Sequence, residues 1–176
     1  MAAPARTHKL SDNDDSVPSM AYLANGLIWG NLLTKKALRT SIWLKMPMAP
    51  EHFLFMDANV MIFSGTQQAR ASFFELHIPI GNILAFHVLP PAPVEMDYDP
   101  NEPNRKFEAV TALVGPFRFD GNRRISVMAD LATSLAKSGE KYSGLYDVTV
   151  TYPVPTMRAL KLPFVLLRQD ATFYGQ

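Results

Sequence analysis

Three groups of side chains in this sequence are of types that could do chemistry. His77 and His87 lie in apolar runs on either side of Gly81, and a hairpin that brought them together with Glu75 would offer nitrogen and oxygen ligands to a metal ion. Glu95, Asp97, Asp99 and Glu102 form the densest acidic group, and the D-x-D spacing can wrap calcium. Lys35, Lys36 and Arg39, and then Arg105, Lys106, Arg118, Arg123 and Arg124, cluster with Phe117 and Phe119 interleaved. Single-strand binders use such a mixture to track phosphates and stack bases.

Each group also has a structural reading. Histidines on half-buried strands usually hydrogen-bond a neighbour, and no third metal ligand of the right geometry is apparent. The acidic group has prolines on both sides and lacks the glycine turn of a calcium loop, so it reads as a solvated linker. Alternation in Phe117-Arg118-Phe119 puts the arginine outward and the rings inward, as any strand does. The sequence has no G-x-S-x-G, no G-x-x-x-x-G-K-[ST] and no H-E-x-x-H, so the local geometry of the common hydrolases, P-loop enzymes and zincins is missing. With no cysteine among 176 residues, thiol nucleophiles, zinc-thiolate sites and disulfides are excluded. The expectation is therefore no catalytic residue, no metal and no cofactor. A formal charge of +1 provides no whole-chain field to attract nucleic acid or an anionic membrane.

The elements that must position these residues read as strands. Fourteen prolines and short β-branched or aromatic runs argue against long helices. Residues 26–34, 40–45, 53–63, 72–78 and 82–89 make five strand candidates, and strand signals resume at 110–119, 124–131, 145–152 and 157–168. Between them, residues 90–108 hold five prolines and five carboxylates and no alternation. The segment 125–138 competes as a helix, since Val127, Met128, Leu131 and Leu135 fit a helical stripe as well as a strand; it is expected to be a strand with a short helical or irregular end. The first 19 residues are polar and expected to be disordered. They lack the apolar stretch of a secretory signal, and residues 20–33 are too interrupted to cross a bilayer, so a cytoplasmic protein is expected.

The halves resemble one another. HFLFMDANVMI (52–62) matches YSGLYDVTVTY (142–152), with Asp57 meeting Asp147, and GLIWGNL (26–32) resembles GPFRFDG (115–121), each followed by a basic pair. The first half also resembles the Sm-like family of small bent five-stranded barrels. Gly26 to Lys45 with FLFMDA (53–58) is similar to the family's first motif, and FELHIPIGNILAFHVL (74–89), with its Gly81-Asn82 turn, to the second. At the places where RNA-binding members carry their base-binding residues, this chain reads Leu38-Arg39-Thr40-Ser41 and Pro79-Ile80-Gly81. The whole chain bears a fainter resemblance to a bacterial family without an assigned activity, which implies no mechanism.

The expected architecture is all-β, with two tandem small Sm-like barrels over residues 20–92 and 108–176 joined by a Pro-rich acidic linker at 93–107. The expected function is a noncatalytic binding or assembly module that forms homo-oligomers through strand edges. Phe73, Phe74, Glu75, Ile83 and Phe86 are the expected edge residues. The alternative is an Sm-like RNA or single-stranded nucleic-acid binder, using Lys35, Lys36, Arg39, Arg123 and Arg124. An RNA or a protein is the partner these readings imply, and a membrane is not.

Overall fold

In the computed structural model, which describes residues 8–65 and 67–176, ten antiparallel strands form one continuous sheet. In chain order they are β1 (Asp14–Leu23), β2 (Gly26–Lys35), β3 (His52–Ser64), β4 (Gln67–Pro79), β5 (Ala85–Val88), β6 (Arg105–Val114), β7 (Phe117–Ser126), β8 (Tyr142–Thr151), β9 (Leu160–Arg168) and β10 (Thr172–Gly175). Their order across the sheet is β10-β6-β7-β8-β9-β5-β1-β2-β3-β4. Both ends are open: β10 and β4 each pair on one side only. No described helix is long and apolar enough to cross a membrane.

Short turns set the registers. Leu23 faces Gly26, and Val114 faces Phe117. Two residues therefore close each of these hairpins, and Gly115 supplies the positive φ (55°) that the second turn requires. Opposite β2 the ladder of β3 slips between Trp29 and Asn31, and opposite β7 that of β8 slips between Asp120 and Asn122. Asp57 (φ 49°) and Asp147 (φ 50°) are the residues at these bulges. Each bulge presses its backbone against a glycine. A Cβ on Gly30 would stand 3.0 Å from the Ala58 Cα, and one on Gly121 would stand 2.9 Å from the Tyr146 carbonyl oxygen. The bend is thus written in a glycine and an aspartate on facing strands.

The segment 40–45 forms a 3-10 helix rather than the expected strand, packing Trp43 and Leu44 into the core. Its counterpart is α1 (Leu131–Lys137), the one α-helix among the described residues, capped by the Asp130 side chain accepting from the Thr133 amide. Strand β7 ends at Ser126, so the segment 125–138 is mostly turn and helix, a small-residue run (LATSLAK) with Ala and Leu favouring helix. Strand β1 begins at Asp14, so part of the expected tail belongs to the sheet; residues 1–7 lie outside the described residues. The polar Ser16 to Ser19 is held because β2 pairs it along its whole length, and β5 takes the other side from Ser19 onward.

The two halves meet where β5 enters between β1 and β9. Both faces of the sheet are covered here, and all four residues of β5 are buried. Alternate residues feed two apolar clusters: Tyr22, Leu27 and Met61 pack with the second half's Phe117, Leu145 and Val165, while Ala21, Ile28 and Val60 pack with Phe53, Phe86 and Phe164. The junction is tied by backbone bonds from Arg168 N to Leu84 O (2.8 Å) and from Leu84 N to Tyr22 O (2.8 Å). The Tyr142 hydroxyl donates to Ile83 O (2.8 Å) and Ile80 O (3.1 Å), and burial pushes its pKa up to about 12.

His87 is buried within this seam. Its Nδ1 lies 3.1 Å from the Val88 carbonyl oxygen, so it carries the proton, and Nε2 accepts from the Tyr22 hydroxyl at 3.1 Å. Burial lowers the pKa to about 4, against a smaller opposing effect of the Val88 bond. Below about pH 6.5 the unfolded chain takes up a proton that the native seam refuses. This stability is complete above pH 6.5 and lost as the pH falls towards 4, with a span of about 3 kcal/mol. Urea unfolding between pH 4 and 8 should show this slope, and His87→Gln should flatten it.

Candidate functional site

The segment between the halves is a strap, not a free linker. Its carboxylates are the counterions of the basic residues. Arg39 reaches Glu95 through Nε (2.5 Å) and Met96 O through Nη2 (2.5 Å), while Ser41 Oγ donates to Glu95 O (2.6 Å). Lys45 Nζ holds Asp97 at 2.6 Å and Glu140 at 3.2 Å. Asp97 also accepts from the Tyr146 hydroxyl. Arg124 bonds Glu102 (2.6 Å) and Asp99 O (3.2 Å) and lies 4.5 Å over the Tyr98 ring; Arg105 takes the other Glu102 oxygen at 2.9 Å. Tyr98 in turn packs edge-on against Tyr146 (5.2 Å) and Phe107 (5.8 Å).

The electrostatics follow from these pairs. Burial opposes the charge on Lys45, but the hydrogen bond and charge of Asp97, with Glu140, outweigh it and raise its pKa. Desolvation first, and then the bond to Asp97, push the Tyr146 hydroxyl far above its ordinary range. The hydrogen bond from Arg124, followed by that from Arg105, lowers Glu102.

Beside the strap, β7, β8 and α1 line a cavity of about 600 Å³ that opens to solvent past Met128. Its wall includes Arg123, Arg124, Lys137, Ser134 and Ser143. Arg123 is 5% exposed. Its Nη1 donates to Ser143 Oγ (3.0 Å) and the Tyr174 hydroxyl (3.1 Å), its guanidinium lies 5.2 Å over the Tyr174 ring, and its Nε is buried without an acceptor. Sequence reasoning picked out Arg123 as a surface cation. The available signal was alternation: Phe119 and Ile125 share its side of β7, and both are buried.

The expected site residues separate accordingly. Lys35 pairs with Asp14, Arg39 and Arg124 are held by the strap, Arg123 is buried and Lys36 is exposed. They do not form one open basic face. Of the expected edge residues, Phe73 (44% exposed) and Phe74 (46% exposed) do lie on the terminal strand β4, and Glu75 there accepts from the His8 amide at 2.8 Å. Ile83 and Phe86 do not lie at an edge. They are wholly buried in one apolar cluster: Phe86 lies on β5, which pairs with β1 on one side and β9 on the other, and Ile83 follows the turn that leads into it. The second edge is β10, a four-residue strand too short to announce itself in the sequence. His77 stands on β4 and His87 on β5, strands that do not pair with each other, and among the described residues no group of His, Asp and Glu is arranged to hold a metal.

Neither family models, nor curated proteins, nor solved structures give a match to this chain.

Replacing Asp97 with alanine should release the strap. Tyr146 loses its acceptor and the partly buried Lys45 keeps only Glu140, a cost of about 1–3 kcal/mol. Limited proteolysis should then cut between residues 90 and 104 faster than in the parent chain, with a lower unfolding midpoint.

Proposed function

We propose that the protein is a noncatalytic assembly module, two tandem Sm-like barrels whose copies join head to tail through sheet edges. The order of strands supports the tandem reading. Each half runs fifth-first-second-third-fourth across the sheet, with a helical turn between its second and third strands and a bulge at the third.

The observation that carries the proposal is the internal joint. There the fourth strand of one half, β9, pairs with the fifth strand of the other, β5, as Ala85↔Leu167 and Phe86↔Leu166. The strands left unpaired at the ends of the sheet are the fourth of the first half, β4, and the fifth of the second, β10. A chain that has already made this joint once carries both halves of it again. Register transfers by strand partners: Phe53↔Ile78 corresponds to Ser143↔Leu167, and Ala21↔Phe86 to Ala112↔Tyr174. Between chains the pairs become Phe173↔Ile78 and Tyr174↔His77. Such an interface is heterologous, and a constant rotation closes it into a ring, for instance three chains giving six barrels. Pairing would also cover Phe173, now 76% exposed. The pairing of Lys35, Arg39 and Arg124 with carboxylates supports assembly over phosphate tracking.

The chain lacks cysteine, so introduced thiols report without background. Ile78→Cys and Phe173→Cys chains should each remain uncrosslinked alone and form a disulfide-linked pair when unfolded, mixed, refolded together and oxidised. Sedimentation should give a small multiple of 19.6 kDa, three-fold for the six-barrel ring. A single species at the chain mass, with no crosslink in the mixture, rejects the proposal.

A further inference from the structure

The two halves supply an internal control for the cavity beside the strap. Counting from the hairpin turns places Leu32 of β2 where β7 has Arg123. Trp43 and Ser134 are each the fourth residue of their helical segments. Phe53 and Ser143 face equivalent residues of the fourth strands, as do Phe86 and Tyr174 with the alanines Ala21 and Ala112. In the first half these four side chains form solid core: Trp43 stacks on Phe53 at 4.9 Å, Phe53 meets Phe86 at 5.4 Å, and Leu32 is fully buried in the same cluster. In the second half the same places hold an arginine, two serines and a tyrosine, and there is a cavity.

A guanidinium in a core position needs a counter-charge, because removing it from water unpaired is costly. Among the described residues there is none. Arg123 makes no ion pair among the described residues, only bonds to two neutral hydroxyls through Nη1. The acids of the cavity wall are committed elsewhere: Asp97 and Glu140 to Lys45, Glu102 to Arg105 and Arg124, and Asp99 to the Asn101 amide. Lys137, at the end of α1, adds a second cation to the wall, and Ser134 contributes a hydroxyl.

We propose that this cavity is a binding site for a small oxyanion, a compact molecule bearing a phosphate or carboxylate group, whose charge is met by Arg123. The serines in place of Trp43 and Phe53 provide room and hydroxyl donors, and Tyr174 holds the guanidinium from below. Guanidinium N–H groups suit planar and tetrahedral oxyanions alike. The strap forms one side of the cavity through Asp97, Tyr98, Asp99 and Glu102. Every residue of the site belongs to one chain, although Tyr174 also lies on the edge strand β10 that assembly would pair.

The test titrates the full chain with inorganic phosphate, and separately with citrate, at constant ionic strength set by chloride, and follows the thermal unfolding midpoint. A saturable rise with either anion is expected, and which anion acts distinguishes phosphate from carboxylate. Arg123→Leu restores the residue of the first half and should fold at least as well while losing affinity at least ten-fold. Ser143→Phe, which refills the cavity with the first half's own side chain, should do the same with Arg123 intact. If neither anion raises the midpoint, or if both variants bind as the parent does, the site is rejected. Binding of an oligonucleotide without binding of either small anion also rejects it. The oligomeric state of the parent chain, measured alongside, separates this result from failure of the assembly: saturable anion binding by a species at the chain mass keeps the site and rejects only the assembly.

Discussion

The structure depends on the insertion of β5 between β1 and β9. A four-residue strand gains little from its own ladder, yet this one has all its residues buried and partners on both sides. It converts two five-stranded units into one sheet whose central strands are apolar on both faces, as strands covered on both sides must be. The polar groups drawn into the seam are each given a partner there. Tyr142 satisfies the carbonyls of Ile80 and Ile83 at the turn before β5, and His87 stays neutral between Tyr22 and the Val88 carbonyl. The seam also leaves the sheet unfinished at both ends, since the strand types joined at its centre are the types exposed at β4 and β10.

Around this seam, charge is arranged to hold a long connection in place. Residues 90–104 have to travel from the end of β5 to the start of β6, and prolines prevent them from forming strand or helix. Their carboxylates instead meet Arg39, Lys45, Arg105 and Arg124, cations that belong to both halves. Exposed pairs of this kind contribute little individually. The Lys45, Asp97 and Tyr146 group is different, because its members are largely withdrawn from water and share hydrogen bonds. The same pairing that fixes the strap removes four cations from any phosphate-binding surface.

One set of corresponding positions in the halves differs in chemical character. The bulges, the bending glycines and the fourth strands recur, whereas Leu32, Trp43, Phe53 and Phe86 give way to Arg123, Ser134, Ser143 and Tyr174. Such a set of changes exchanges packing for a polar cavity, which costs apolar burial and desolvates a cation. A unit kept only for its stability gains nothing by that exchange. The stable core supplied by the other half and the shared seam allow it.

The sequence by itself determined the local rules. Alternating apolar residues made β2, β3, β4 and β8 readable to within a few positions, and the Asp57 and Asp147 match marked the two bends. The Gly26 to Gly115 alignment was two residues out of register, because glycine serves as a turn in one case and a strand start in the other; Gly30 is the partner of Gly121. What only the tertiary structure decided was everything set by partners distant in the chain. Polar β1 is a strand because β2 pairs with its whole length, and short β10 is one because β6 does. Ile83 and Phe86 are core because residues of both halves pack into one cluster around them, and the acidic connection is a strap because cations from both halves meet it. Arg123 has the same composition signal as Arg124, one residue away. Strand alternation sends one inward and one to the strap, and the absence of a carboxylate beside the inward one could be known only once the chain had folded around it.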